Sequence, residues 1–232
     1  MTEQHDIVYI LKNGIAPYEL MYSLRSIEKN FPHNKVWFYG GKPQGLSPDN
    51  GVYFTQRGQS KWDKVKQSLI QICENDDITE QFFLFNDDFF VLKPFHGEFI
   101  NYACGKLQDR IDELLQQTSK PSNYVKQMIA MKDGLEAEGH STVNFDIHLP
   151  MLIDREDALK TLQTNCTDLY RSLYGNVKHI PYVLHEDVKI YSMTEVPGDS
   201  WDFCSTENKT FAAGAVGRWI RTKFNEPSRF ER

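Results

Sequence analysis

Phe82-Phe-Leu-Phe-Asn86-Asp87-Asp88-Phe-Phe-Val91 sets two adjacent carboxylates and an amide inside a run of bulky apolar residues that otherwise reads as a buried strand. An ionised carboxylate taken out of water loses several kcal/mol unless it is paired, hydrogen-bonded or metal-bound. The chain must therefore supply compensation. Oxygen ligands at a strand end suit Mg²⁺ or Mn²⁺, ions that usually arrive with substrate phosphates. Asn-Asp-Asp is also ordinary turn chemistry. Here, however, aromatic residues flank it on both sides and no glycine completes a hairpin.

Upstream of this stretch, strand and helix signals alternate. Ile7–Leu11 reads as a strand ending at Lys12-Asn13-Gly14, and residues 17–30 read as a helix in which Leu20, Leu24 and Ile27 recur at helical spacing. Asn30-Phe31-Pro32 stops that helix, and Lys35–Tyr39 follows as a second strand closed by Gly40-Gly41. Gly51–Phe54 predicts a third strand, Trp62–Cys73 a second helix and Phe82–Asn86 the fourth strand. The expected fold is an α/β single domain with a mostly parallel sheet flanked by helices and a helical insertion. Ligands of such sheets bind beyond the carboxyl ends of the strands, where Asn13 and Asn86–Asp88 fall.

Four regions are expected within that domain: a nucleotide-binding half (1–95), a helical insertion (96–140) that shapes a cleft, an acceptor and metal half (141–208), and a basic C-terminal tail (209–232). In the insertion, helices are predicted over Asn101–Gln117 and Tyr124–Glu138. Beyond it, Val143–Pro150 reads as a strand whose period of two puts Asn144, Asp146 and His148 on one face. A helix over Asp154–Gln163 and a further apolar run over Ile180–Tyr191, interrupted by His185-Glu186-Asp187, complete the reading.

Composition bounds the function. The 232 residues are 40% hydrophobic and 25% charged, an ordinary soluble composition, and 13% aromatic, which suits a ring-lined pocket. Cys73, Cys104, Cys166 and Cys204 are widely separated and form no CxxC pair, so neither a disulfide framework nor a structural zinc is indicated, and a reducing cytoplasm is the expected home. The start is too short in apolar residues for a signal peptide, and no run approaches the ~18 apolar residues of a membrane span. A net charge of −6 argues against coating DNA. From Lys209 on, six basic residues face two acidic ones, a local surface for an anionic partner.

Walker A, GxGxxG, GxSxG and HExxH motifs are all missing from the sequence. This leaves a divalent ion gripping the diphosphate of an activated sugar. Asp87, Asp88 and His185 are the expected metal ligands. Asn13, Arg25, Lys61 and Asp87 are the expected donor contacts, with Lys64 a weaker cation. Asp146 and His148 are the expected base or an additional metal ligand, and Arg25 steadies charge. Trp62 fits either a base-stacking wall or a core stripe with Val65 and Leu69.

Two segments, Glu19-Leu-Met-Tyr-Ser-Leu-Arg-Ser-Ile-Glu-Lys-Asn-Phe-Pro32 and Phe83-Leu-Phe-Asn-Asp-Asp-Phe-Phe90, together with His148-Leu-Pro150, resemble the Stealth family of sugar-phosphate transferases of microbial surface polysaccharide synthesis. The chain is also similar to glycosyltransferases of the A-type nucleotide-sugar fold. The resemblance covers about half the chain and implies Asp87 and Asp88 in the metal and nucleotide-sugar motif, Arg25 on the helix after the first strand, and His148 in the His-x-Pro position. Ile10–Gly14 departs from the acidic Trp-Val-Asp-Gly type segment that opens Stealth proteins, which leaves glycosyl and sugar-phosphate transfer both open. The expected partners are a nucleoside-diphosphate sugar and a glycan, lipid-linked or other hydroxyl acceptor. The competing expectations are a catalytically silent nucleotide- or glycan-binding module and a phosphoesterase built on the paired carboxylates.

Overall fold

Alternation along the first strand dictates the layering. In a computed structural model that describes residues 4–16, 18–58, 60–117, 120–164 and 169–231, strand β1 (Asp6–Leu11) sends Ile7, Tyr9 and Leu11 into one apolar layer and Val8 into another. Strands buried on both faces read as continuous apolar runs. Around β1 lie β2 (Val36–Gly40), β3 (Asn50–Tyr53), β4 (Gln81–Phe85) and β7 (Met151–Asp154), in the order β3-β2-β1-β4-β7. The first four are parallel, with Tyr9 opposite Phe38 and Phe85. Strand β7 pairs antiparallel to β4, Phe83 opposite Leu152.

Helix α1 (Tyr18–Asn30) covers one face through Leu20, Leu24 and Ile27. Its last residue ties it to the strand after the acidic turn, as Asn30 Nδ2 donates to the Val91 carbonyl at 2.7 Å. Helix α2 (Lys61–Cys73) and α5 (Arg155–Thr164) cover the other face through Leu69, Ile72, Ala158 and Leu162. Ser60 starts α2 where it does by accepting the Asp63 N–H at 3.0 Å, an N-cap bond. Gly41 lets β2 crowd the end of β1, since a Cβ there would sit 2.2 Å from the Lys12 carbonyl oxygen.

Around this sheet sit two smaller ones. Strand β5 (Phe89–Val91) pairs antiparallel with β10 (Phe203–Thr206), which pairs parallel with β9 (Lys189–Ile190). Strands β6 (Asn101–Ala103) and β8 (Tyr182–Leu184) form a parallel pair. Helices α3 (Leu107–Gln116), α4 (Asn123–Ala137) and α6 (Tyr170–Val177) share one apolar cluster that includes Met128, Leu135 and Leu173.

Two expectations are corrected, and the C-terminal tail proves to be helical. Residues 101–103 form β6 and not the start of a helix, because Asn101 is held by both backbone groups of Leu152, accepting at 2.9 Å and donating at 3.1 Å. Residues 143–150 form no strand beyond a single bridge from Val143 to Lys106, since a tight turn from the Ile147 N–H to the Phe145 carbonyl at 2.9 Å breaks the extension. The basic tail folds into α7 (Asn208–Ala213) and α8 (Ala215–Lys223), whose Phe211, Val216 and Ile220 pack on Phe90 and Cys204. Arg221 caps the Phe211 carbonyl at 2.7 Å and Arg229 pairs with Asp49 and Glu28, so these two cations are engaged internally.

No helix of the described residues is long and apolar enough to cross a membrane.

Candidate functional site

A cavity of about 920 Å³ opens beside the carboxyl ends of β1 and β4. Ile10, Leu84 and Asn86 from the sheet form its floor, and Lys61, Trp62 and Val65 from the start of α2 form one wall. Arg110 and Tyr124 of the insertion, the 144–148 loop, and Tyr170 and Arg171 at the start of α6 close it. Residues of the 104–124 stretch thus line one side of the cleft, and Asn144, Asp146 and His148 also line it, brought there by a loop and not by a strand.

Two hydrogen-bonded pairs organise the interior. His148 Nδ1 lies 2.8 Å from Asp187 Oδ2, and the His148 N–H donates to Asp187 Oδ1 at 3.2 Å. With Nδ1 held by a carboxylate, Nε2 is left as the exchangeable nitrogen. Burial opposes ionisation of Asp187, but the His148 hydrogen bond and charge outweigh it and hold the carboxyl below its ordinary range. Tyr124 donates its hydroxyl to Asp146 Oδ2 at 3.0 Å, and burial with that carboxylate raises the phenol. Trp62 stacks on Tyr124 at 5.7 Å while the Lys61 ammonium lies 4.8 Å over its ring. These contacts make Trp62 part of the cleft wall, half-buried against the insertion cluster and not in a core stripe with Leu69. Burial raises the Cys104 thiol to about 11, so it stands in the cleft as a neutral group.

The acidic doublet makes its own contacts next to the cleft, since Lys189 feels both Asp88 and the cleft residues Asp187 and Tyr191. Asp88 Oδ2 accepts from Lys189 Nζ at 2.8 Å and from Ser205 Oγ at 3.1 Å. Asp87 is pushed up to about 6 by burial, then by the Asp88 charge. Glu19, in the first turn of α1, is pushed up to about 7 by burial, although Thr206 Oγ1 donates to it at 2.9 Å; Asp87 and Asp88 add to the rise. Three carboxylates thus share one half-buried patch, and among them only Asp88 has an ammonium in ion-pair contact among the described residues. Asn86 lines the cleft, and Asp87 and Asp88 follow it in this adjoining patch.

Among the described residues, no group of three or more His, Cys, Asp or Glu side chains is arranged to hold a metal ion. Mg²⁺ needs less than that, because it commonly keeps several waters and takes one or two carboxylates plus substrate phosphates. Asp87 fits such an ion: a cation would relieve the charge that burial and Asp88 make costly. His185 does not join it. Its Nδ1 lies 2.6 Å from the Glu186 carbonyl and its ring packs edge-on against Tyr102.

Two other candidates are also displaced. Arg25 is bidentate to Glu231 at 2.7 and 2.6 Å and donates to the Phe224 carbonyl at 2.9 Å, which makes it a clasp for the C-terminal segment. Asn13, with its amide oriented to satisfy both neighbours, reaches the Phe54 carbonyl at 3.2 Å and the Gln56 N–H at 3.3 Å. Neither lines the cavity. Lys64 faces a second hollow with Arg57 and Gln67. The sequence reading passed over Glu19, Tyr124, Arg171, Asp187 and Lys189. The one available signal was the His185-Glu186-Asp187 triplet, where the third member carries the contact.

No family model matches the chain, and no curated protein matches it. Among solved structures, it aligns over 96% of its length with 99% of a 4-diphosphocytidyl-2C-methyl-D-erythritol synthase at 10% identity and a TM-score of 0.42. It aligns over 97% with 85% of the galactosyltransferase LgtC in complex with donor and acceptor sugar analogues, at 12% identity and a TM-score of 0.43. An active-site mutant of LgtC aligns at 13% identity and a TM-score of 0.38, again over 97% of this chain and 85% of that one.

Proposed function

We propose that this chain is a divalent-cation-dependent transferase that moves a glycosyl or sugar-phosphate group from a nucleoside-diphosphate sugar to an acceptor hydroxyl. The observation that carries the reading is the acidic turn closing β4. It holds an under-compensated carboxylate, Asp87, next to Asn86, which lines the large cleft. Mg²⁺ or Mn²⁺ bound by Asp87, with Asp88 and Glu19 beside it, would neutralise charge developing on the departing phosphate oxygen.

The remaining roles fall to side chains of the cleft. Lys61 sits at the start of α2, where the helix dipole and the ammonium both favour phosphate oxygens. His148, oriented by Asp187, is placed to take the acceptor proton on Nε2. In glycosyl transfer the acceptor oxygen bonds the anomeric carbon, the bond from that carbon to the diphosphate oxygen breaks, and nucleoside diphosphate leaves. In sugar-phosphate transfer, the form that the Stealth resemblance implies, the acceptor oxygen bonds the phosphorus carrying the sugar, the anhydride bond breaks, and nucleoside monophosphate leaves. Asp146 keeps Tyr124 oriented on the opposite wall.

The test is a screen of nucleoside-diphosphate sugars with Mn²⁺, read first as thermal stabilisation and then as nucleotide release. Stabilisation with release that falls at least 100-fold in His148→Gln is expected. Stabilisation without release would make the chain a binding module. No stabilisation by any nucleotide with Mn²⁺ would overturn the proposal.

A further inference from the structure

Arg171 is a buried cation with an unmet hydrogen bond. The residue is 5% exposed, yet it lines the cleft. Nη1 donates to the Leu149 carbonyl at 2.8 Å and Nε to the Tyr170 hydroxyl at 3.2 Å. Nη2 has no partner among the described residues, and no described carboxylate forms an ion pair with the guanidinium. The rings of Phe89 and Tyr170, 5.7 and 5.9 Å away, offer only cation–π contact. Arginine cannot shed its proton to escape this cost. A desolvated charge of this kind is stabilised by an incoming opposite charge.

Its neighbours make the site one for a ligand. Of the other cleft cations, Lys61 lies over the Trp62 ring and Arg110 is occupied by Glu113, while the carboxylates Asp146 and Asp187 are engaged by Tyr124 and His148. Phe89 carries the Arg171 guanidinium on its ring and meets the His148 ring at 6.5 Å, so cation and imidazole stand on one platform.

We infer that Arg171 receives an anionic oxygen, carboxylate or phosphate, borne by the sugar that docks beside His148, so that the acceptor is an acidic and not a neutral glycan. The acceptor role rests on the transfer proposed above; the anion site does not. The planar guanidinium fork suits either oxyanion.

The full chain is titrated with D-glucuronate, glucose 6-phosphate and glucose, following binding by NMR line broadening. One of the two anionic sugars is expected to bind at least about tenfold more tightly than glucose, a difference in the range of a charged hydrogen bond. Which of the two binds decides between carboxylate and phosphate. Arg171→Gln is expected to abolish the preference, and Arg171→Lys, should the glutamine variant not fold, to reduce it while keeping the charge. Equal binding of all three sugars by the wild type, or an undiminished preference in the variant, overturns the inference. Equal loss of nucleoside-diphosphate affinity in Arg171→Gln reassigns the residue to the donor and also overturns it. These measurements need no turnover, so they stand apart from failure of the transferase reading.

Discussion

Replacing Asp87 by asparagine keeps the shape of the acidic turn and removes one charge. In the native protein the carboxyl titrates at about 6 against an ordinary 3.8, chiefly because burial disfavours the charged form and then because Asp88 is adjacent. The native state therefore holds this proton more tightly than the unfolded chain does. The favourable contribution is full below 3.8 and is lost as pH rises through about 6. Above that pH the ionised group costs about 3 kcal/mol at the upper bound, and less with solvent screening. Glu19, raised from 4.5 to about 7, has the same sign and a smaller effect because it is more exposed. Asp87→Asn is thus expected to gain roughly 1–3 kcal/mol at about pH 8 in chelator, and much less at about pH 5. At ~2 kcal/mol per molar urea the unfolding midpoint should rise by about 1 M at the higher pH. Equal gains at both pH values, or no gain at the higher one, would refute the electrostatic reasoning. The same variant should lose Mn²⁺-dependent nucleotide release, which would link the destabilising charge to function.

Asp187→Asn should lower turnover about 10²–10⁴-fold with little change in donor KM, because it misorients His148 without touching the donor phosphates; steady-state kinetics in both substrates checks this. Arg25→Ala should cost about 3 kcal/mol in urea unfolding, since it leaves Glu231 half-enclosed without its guanidinium, while nucleotide affinity by calorimetry stays at the wild-type value. Gly41→Ala should cost about 1–3 kcal/mol, because its Cβ would press on the Lys12 carbonyl oxygen and separate the ends of β1 and β2; thermal unfolding reads the loss.

Much of the sheet was legible before any coordinates. Ile7–Leu11, Lys35–Tyr39 and Phe82–Asn86 are largely apolar runs closed by turn residues, and the first two helices carry their apolar stripes at a regular spacing. Each was found within a residue or two of its place. The edge strand β7 was missed because four residues, Met151–Asp154, are too few to show a period. Asp146 and His148 stood out as polar residues inside an apolar run and Lys61 as a cation at a helix start, and all three line the cleft. Arg25 was misread for a related reason: a cation on a helix beside the sheet looks the same in sequence whether it meets a phosphate or Glu231.

The sequence by itself determined the β-α-β order and the acidic turn at the end of β4, because periodicity and turn chemistry act between near neighbours. Only the tertiary structure decided which charges are satisfied. His148 finds Asp187 and Asp88 finds Lys189 across long stretches of chain, Arg25 is spent on Glu231, and Arg171, a residue of the cleft lining, is left with a buried donor unpaired among the described residues. Such pairings depend on where loops and sheet edges converge in space, and no local spacing encodes that convergence.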